Sequence, residues 1–395
     1  MKVKIEKLDD YGKGIAFVDG KVTFVSKTVP GDIVEIDIDT KKKSYNVAKV
    51  EKIVKPSLKR VDAFCPFYDE CDGCVLQNLT YQDTVLEKKK MVVNYFQKMK
   101  IDIKPEVVYS PVSTHYRNKI TFKIKNGNLG YYKRESHSLV KIDKCMLAKE
   151  VINKCTYYIK KINILDGEVV IRANYQNDVI VSIKTLENVD VNELKNVSFI
   201  KGIIVNDNLV FGDDYFYEVI NDLKFKVSYD AFFQVNLAVA DKLLGIVSSY
   251  IEPGDKVLEL YSGVGVLSLT AARKKAITMG IEIVDNAVLN ARYNASLNNL
   301  DADFLLLDAK DVGKIDAGVF DTLILDPPRK GVSISVINLI KEKLPEKIIY
   351  ISCDYHTLAR DLNLIKDSYD IQNFYVCDMF CYTYHVECVC ILKIK

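Results

Sequence analysis

From residue 216 to 395, short apolar runs alternate with stretches that have helical periodicity. The runs are DKVLELYSG, ITMGIEIV, ADFLLLDA, TLILDPP and KIIYISC, and two further strands, NFYVCDMF and HVECVCILKI, close the series. Such alternation allows few folds: it predicts an α/β, doubly wound sheet of mainly parallel strands. Ligands of these sheets bind beyond the carboxyl ends of the strands, so the functional candidates of this half are sought at strand tips.

Two other segments precede it. Residues 1–56 read as a small β-barrel, with short alternating strands separated by the turns DDYGKG, DG and VPGD, and with KKKSY (41–45) in a loop. Residues 57–215 read as a central α+β domain: a cysteine cluster, a helix over YQDTVLEKKKMVVNYFQKMK, then strands around HYRNKITFKIKNGNLGYYK. The net charge of +2 hides a division. Residues 1–160 carry 31 Lys and Arg against 20 Asp and Glu, while the remainder carries 24 against 33. A basic front half suits a polyanion such as RNA, gripped through its phosphates, although a solvated basic surface would look the same. The absence of a long apolar run or an apolar leader predicts a cytoplasmic protein with no membrane partner, expected to act as a monomer. Its ten cysteines are then thiols or metal ligands rather than disulfides.

The first strand tip, VLELYSGVGVLSLTAA, has Gly263 and Gly265 where a backbone would approach a ligand. Nineteen residues after Gly263, Glu282 ends the next strand, where a carboxylate accepts ribose hydroxyls. The third glycine of a dinucleotide loop is missing and no pyrophosphate cradle follows, which favours S-adenosylmethionine, a ribose-bearing cofactor without phosphate. Asp308 and Asp326 end the third and fourth strands. For Asp308 a helix cap is an equal reading. Asp326 opens DPPRKG, whose two prolines aim its carboxylate. The residue after them is Arg329 rather than an aromatic, which speaks against methylation of an exocyclic nitrogen.

Cys353 follows KIIYIS and precedes HTLARDL, at the rim of the same sheet, with the amides of the next helix expected to lower its thiol pKa. The bland reading is a small core residue, and it is adopted for Cys377, Cys388 and Cys390. Glu387 in YTYHVECVCILKI is costly to bury in an apolar strand without a purpose, and alternation sets it on the face of His385. A desolvated carboxylate there has the pKa of a general base. Carbon 5 of a pyrimidine is inert until a thiolate adds to carbon 6; the enolate then attacks a methyl donor, and a base removes the carbon 5 proton so that the thiolate can leave. Cys353, Glu387 and the glycine-loop pocket are the required parts.

Taken in order, these residues resemble the RNA uracil-C5 methyltransferases that make 5-methyluridine, and most closely the iron–sulfur branch acting on 23S rRNA. The resemblance spans almost the whole chain. It implies a Rossmann-like class I S-adenosylmethionine-dependent methyltransferase domain over 216–395. GKGIAFVDGK and VPGDIVEI resemble a TRAM domain, an OB-like RNA-binding barrel. CPFYDECDGCVLQNLTYQ is similar to the cluster motif in which Cys65, Cys71, Cys74 and Cys145 would hold a [4Fe-4S] cluster. Four thiolates also suit zinc, and Cys155 competes for the fourth position. By the same likeness, Gln234 in FFQVN and Tyr261 join Gly263, Glu282, Asp308 and Asp326 as cofactor contacts. SCDYHTLARDL matches the nucleophile motif at Cys353 and HVECV the base at Glu387, while Arg117 in YRNK matches a stretch near the substrate. Met379, Phe380 and Cys381 stand where the family usually reads Met-Phe-Pro, so this loop is expected to be less rigid. Implied alternatives are a tRNA uridine as substrate, or an RNA-binding iron–sulfur protein with idle catalytic groups. Cytosine methylation is disfavoured because its Pro-Cys loop is missing.

Overall fold

The computed structural model describes residues 1–133, 138–314 and 320–395. Residues 2–55 form a six-stranded sheet whose two edges are occupied by one piece of chain. Lys2–Lys4 pairs with Ile33–Lys41, and Lys7–Leu8 pairs with Gly14–Val18 on the other edge. That crossing segment seams the sheet into a barrel around Ile5, Ala16, Val25, Val34 and Ile36, leaving few open edges. Of KKKSY, Lys41 and Tyr45 belong to strands and residues 42–44 make the connection.

The described residues between 119 and 212 build a seven-stranded sheet with the helix Glu150–Ile159 packed on it; Phe122, Ile152, Ile171 and Val181 lie in that core. A hairpin, Tyr215–Ile220 and Leu223–Ser228, leads out of it.

Among the described residues the largest sheet has eight strands: β1 (Glu106–Val108), β2 (Lys256–Leu260), β3 (Ile277–Glu282), β4 (Asp303–Leu306), β5 (Thr322–Leu325), β6 (Lys347–Ser352), β7 (Tyr369–Cys377) and β8 (Glu387–Ile394). Their order is β4-β3-β2-β5-β6-β8-β7-β1, with β8 antiparallel to both neighbours. Helices flank both faces: α1 (Tyr81–Lys98), α2 (Leu237–Ser249), α3 (Val266–Arg273), α4 (Asp285–Leu297), α5 (Ile334–Lys343) and α6 (Tyr355–Ile365). The central strands are apolar on both sides for this reason. Leu258, Leu323 and Tyr350 point into a core with α1, α5 and α6, while Val257, Ile324 and Ile349 point into one with α2, α3 and α4. The α/β doubly wound architecture is therefore present, with a small barrel and an α+β unit in front.

One segment differs from the sequence expectation. Residues 80–108, assigned to the central region, pack on the large sheet instead: β1 extends it beyond β7, and Met91, Val92 and Phe96 of α1 enter its core. The helical pattern was readable; the partner that covers its apolar face was not. Among the described residues no helix is long and apolar enough to cross a membrane.

Candidate active site

The strand order reverses between β3-β2 and β5-β6, and the candidate residues gather at that end of the sheet. Between β2 and α3 the chain turns sharply, with positive φ at Tyr261 (68°), Gly263 (54°) and Gly265 (87°). A side chain at Gly265 would press to 2.8 Å from the Phe304 ring, whereas Gly263 faces open space. Tyr261 holds the left-handed conformation without a glycine's freedom, a strain that folded proteins concentrate at functional sites.

This turn walls a cavity shared by Gln234, Glu259, Tyr261, Ser262, Gly263 and Asp326. Ser262 Oγ is buried there without a hydrogen-bond partner. Glu259 lies beneath, 1% exposed, accepting from the Ser268 amide at 2.7 Å and from the Ser268 hydroxyl. Burial pushes its carboxyl up to about 8. Sequence reasoning passed over Glu259, because a single acidic residue in VLELYSG carries no pattern. Glu282 is adjacent: one oxygen accepts from the Gly263 amide at 2.9 Å, the other from the amides of Ile283 and Val284. Asp308 is not part of the cavity wall. It accepts from the Lys310 amide and pairs with the Lys310 ammonium at 2.8 Å, which lowers its pKa. β4 ends at Leu306, two residues before it, and a 3₁₀ turn begins at Ala309, which is the capping arrangement.

The central unit braces the opposite wall. Asn118 donates to the Gln234 carbonyl at 3.0 Å and to the Val235 carbonyl from its own amide. Arg172 donates to the carbonyls of Ser228, Tyr229 and Ala231. Neither residue stood out in the sequence. Asn118 does fall within YRNK, beside Arg117.

Cys353 and Glu387 come together by register. Ser352 of β6 pairs with Cys388 of β8, which brings the residue after one strand next to the residue that opens the other. Glu387 is 5% exposed; Cys353 is half-buried. The thiol differs from expectation. It is pushed up to about 11, first by burial and then by the charges of Glu387 and Asp326, with Arg329 opposing. The helix amides do not help because Asp354 already takes them, accepting from His356 N and Thr357 N. Burial pushes the Asp326 carboxyl up to about 7 and raises Glu387 well above its ordinary range; Asp326 raises Glu387 further, and Arg329 pulls it back. Two carboxyls so arranged resist simultaneous ionisation. His385 lies outside β8, which starts at Glu387, so the shared face predicted by alternation does not form. Its Nδ1 sits 3.3 Å from Arg329 Nη2. Sequence reasoning valued Arg329 for what it was not; the structure adds a cation acting on both Cys353 and Glu387.

The loop between β7 and β8 is held firmly, contrary to the expectation from its missing proline. Lys88 of α1, wholly buried, binds Asp378 at 2.6 Å and the Phe380 carbonyl at 2.8 Å, and Cys381 fills a fully buried site.

Cys65, Cys71, Cys74 and Cys145 line one cleft, while Cys155 is buried in the core of the central unit. The Gly73 amide points at Cys71 Sγ, 3.4 Å away, and Gln77 accepts from the Cys65 amide. Burial, and then the nearby Cys145, push the Cys74 thiol up to about 12. Among the described residues, no group of three or more His, Cys, Asp or Glu side chains stands ready to hold a metal ion. Arg117, its Nε buried without a partner, lines the same cleft, as does His385.

The chain is similar to known proteins over its full length. A family model described as tRNA (Uracil-5-)-methyltransferase matches residues 80–395, and one for the TRAM domain of tRNA (uracil(54)-C(5))-methyltransferase matches residues 1–58. An uncharacterized RNA methyltransferase of Aquifex aeolicus is 29% identical, covering 100% of this chain and 99% of the relative. Another from Synechocystis is 31% identical, over 100% and 95%. The crystal structure of Pyrococcus abyssi tRNA (uracil-54, C5)-methyltransferase in complex with S-adenosyl-L-homocysteine superposes with a TM-score of 0.84 at 26% identity, covering 99% of this chain and 100% of that one.

Proposed function

The chain belongs to the tRNA (uracil-5-)-methyltransferase family and is an S-adenosylmethionine-dependent RNA uracil-C5 methyltransferase; from that premise we propose that Cys353 is its nucleophile and Glu387 its base. The observation that carries this assignment is the pairing of Ser352 with Cys388, which sets a thiol and a buried carboxyl side by side next to the Asp326 cavity.

The cavity suits the methyl donor. Gly263 leaves room for close approach, Ser262 Oγ is an unused polar atom, and Glu259 and Asp326 are carboxyls for an ammonium group. Glu282 would accept the ribose hydroxyls while keeping its bond to the Gly263 amide. Asp308 belongs to the same proposed set, acting from outside the wall. When bound, the donor supplies a methyl group on a sulfonium centre; the remaining work falls to the side chains.

Cys353 rests as a thiol, so its proton must leave first. The ionised member of the Asp326–Glu387 pair is the acceptor, and it passes the proton to water before methyl transfer. The sulfur then adds to carbon 6 of the flipped-out uridine, and the ring electrons move onto the carbonyl oxygen as an enolate, for which Arg329 supplies a cation. Carbon 5 takes the methyl group as its bond to the sulfonium breaks and a neutral thioether is left, Glu387 removes the carbon 5 proton, and the carbon 6–sulfur bond breaks to release thiolate and 5-methyluridine. A raised Glu387 pKa makes it a stronger base for that step.

For the RNA, the likeness of the cysteine segment and barrel to the iron–sulfur branch supports a uridine of 23S rRNA. A second reading, a tRNA uridine, is favoured by the whole-chain likeness to an enzyme named for tRNA uracil-54. Mass-spectrometric mapping of 5-methyluridine in both RNAs, from cells with and without the protein, decides between them. Cys65, Cys71, Cys74 and Cys145 would hold the [4Fe-4S] cluster, tying residues 65–74 to the central unit. A single zinc ion asks four sulfurs to meet about 2.3 Å from one point, whereas a polynuclear cluster lets them stand apart. The chemistry itself is tested with RNA bearing 5-fluorouridine, in which fluorine replaces the proton that Glu387 removes. The wild type is expected to form an adduct stable to denaturation; Cys353→Ala forms none. An adduct of equal yield in Cys353→Ala would sink the assignment.

A further inference from the structure

The corner that carries Cys353 is gripped from another domain. Asp354, the next residue, caps α6 with its Oδ1, and the same oxygen lies 3.1 Å from His356 Nδ1. The other ring nitrogen of His356 lies 3.2 Å from Oδ2 of Asp10, 346 residues earlier, in the first turn of the barrel. An imidazole that faces a carboxylate with each nitrogen donates to both when it carries two protons. The ring has little freedom to leave: it stacks on Tyr355 with centroids 4.2 Å apart, and the edge of Tyr95 meets it at 4.3 Å.

The turn that offers Asp10 is itself rigid. Asp9 Oδ1 accepts from the amides of Tyr11 and Lys13, and Gly12 closes the turn at a φ of 76°. It touches the two other working parts as well. The Tyr11 ring packs edge-on against Tyr384, in the loop that leads to Glu387, with centroids 5.6 Å apart. Gly12 lies so close to Val75, beside Cys74, that a side chain there would approach to 2.8 Å. One barrel turn therefore reaches the nucleophile's helix, the base's loop and the cysteine loop together.

We infer that Asp10 and His356 are positioning residues of the methyl-transfer centre, with the barrel turn setting the Cys353 corner through the bridge Asp10–His356–Asp354. This rests on Cys353 being the nucleophile. The barrel then has a second task besides binding RNA: it completes the frame in which the sulfur is aimed. Displacing an attacking atom by about 1 Å can cost on the order of a hundredfold in rate, so loosening one anchor should appear in the addition step.

The test measures the rate of covalent adduct formation on RNA bearing 5-fluorouridine, at saturating RNA and S-adenosylmethionine, beside the affinity for unmodified RNA. Asp10→Asn keeps the shape of a surface turn and His356→Gln keeps one hydrogen bond, so both should fold. Each is expected to slow adduct formation about tenfold or more while RNA affinity stays within about threefold, and the double variant is no slower than the worse single one because a single linkage is broken. If both variants form adduct at the wild-type rate while Cys353→Ala forms none, the bridge only glues the barrel in place: this inference falls and the nucleophile stands. If both variants lose RNA affinity in proportion to rate, the turn acts in binding and the inference again falls. Adduct formation by Cys353→Ala would remove the premise itself.

Discussion

The sulfur proposed to add to the ring, that of Cys353, sits in surroundings that hold its proton on. Under the proposed function Glu387 and Asp326 belong near it, one to take the carbon 5 proton and one at the donor's cavity, and their charges resist a third negative group. With the thiol at about 11, well above neutrality, the thiolate fraction grows about tenfold for each pH unit between 7 and 9. Alkylation of Cys353 by iodoacetamide, followed by peptide mass spectrometry in the RNA-free protein, should rise on that slope; a rate independent of pH would mean a resting thiolate. Glu387→Gln keeps the shape of the proposed base but cannot take a proton. Its turnover should fall about 10²- to 10⁴-fold while adduct with natural uridine accumulates, visible as a band retained on a denaturing gel. Both residues drew attention in the sequence because each broke a pattern, a cysteine at a strand–helix junction and a glutamate in an apolar strand, and the register of β6 and β8 brings these two positions together. The direction of the thiol's shift could not be read, because it depends on carboxyls delivered by β5 and β8 and on Asp354 having already claimed the helix amides. Asn118 and the action of Arg329 on Cys353 and Glu387 were missed for a related reason, since each works on a neighbour distant in sequence, while Glu259 was missed because a lone acidic residue carries no pattern.

Helix α1 is a good example of an element whose existence was legible and whose place was not. Its apolar face could have covered the central sheet; it covers the large one, where Phe96 meets the Phe374 ring edge-on with centroids 5.1 Å apart. Phe96→Ala should therefore destabilise the catalytic unit by about 3–5 kcal/mol, lowering the denaturant midpoint measured on S-adenosylmethionine-protected protein. The start of α6 makes a prediction about pH. His356 is raised to about 9 from an ordinary 6.5, first by its hydrogen bond to Asp10 and then by that to Asp354; Tyr355 and Tyr95 also face it, and Lys98 acts on Asp10. A pKa raised by folding stabilises the folded state fully below about 6.5, and this contribution disappears as pH rises through about 9. The melting temperature of the wild type should exceed that of His356→Gln at pH 6.5, and the gap should close by pH 10. Strand β8 teaches a smaller lesson: alternation extended it to His385, but hydrogen bonding begins at Glu387, which frees His385 to meet Arg329.

At the scale of the whole chain, the first 160 residues are basic and the remainder acidic, and under the proposed function the basic part suits the phosphates of RNA. Phosphate contacts release counterions, so RNA affinity should drop roughly a hundredfold or more between 50 and 200 mM salt, while the Michaelis constant for S-adenosylmethionine barely moves. Filter binding and initial rates over one salt series would check both. The doubly wound sheet and the barrel were legible because their periods and turns are local. That α1 and β1 belong to the sheet was not, because the strands that complete it lie hundreds of residues later. This late completion bears on synthesis. Phe96 leaves the ribosome 278 positions ahead of Phe374, which at 5–20 residues per second is an interval of roughly 15 to 55 seconds. Throughout it Phe96 lacks the ring that finally covers it, which leaves part of the greasy side of α1 open to a chaperone that shields emerging helices.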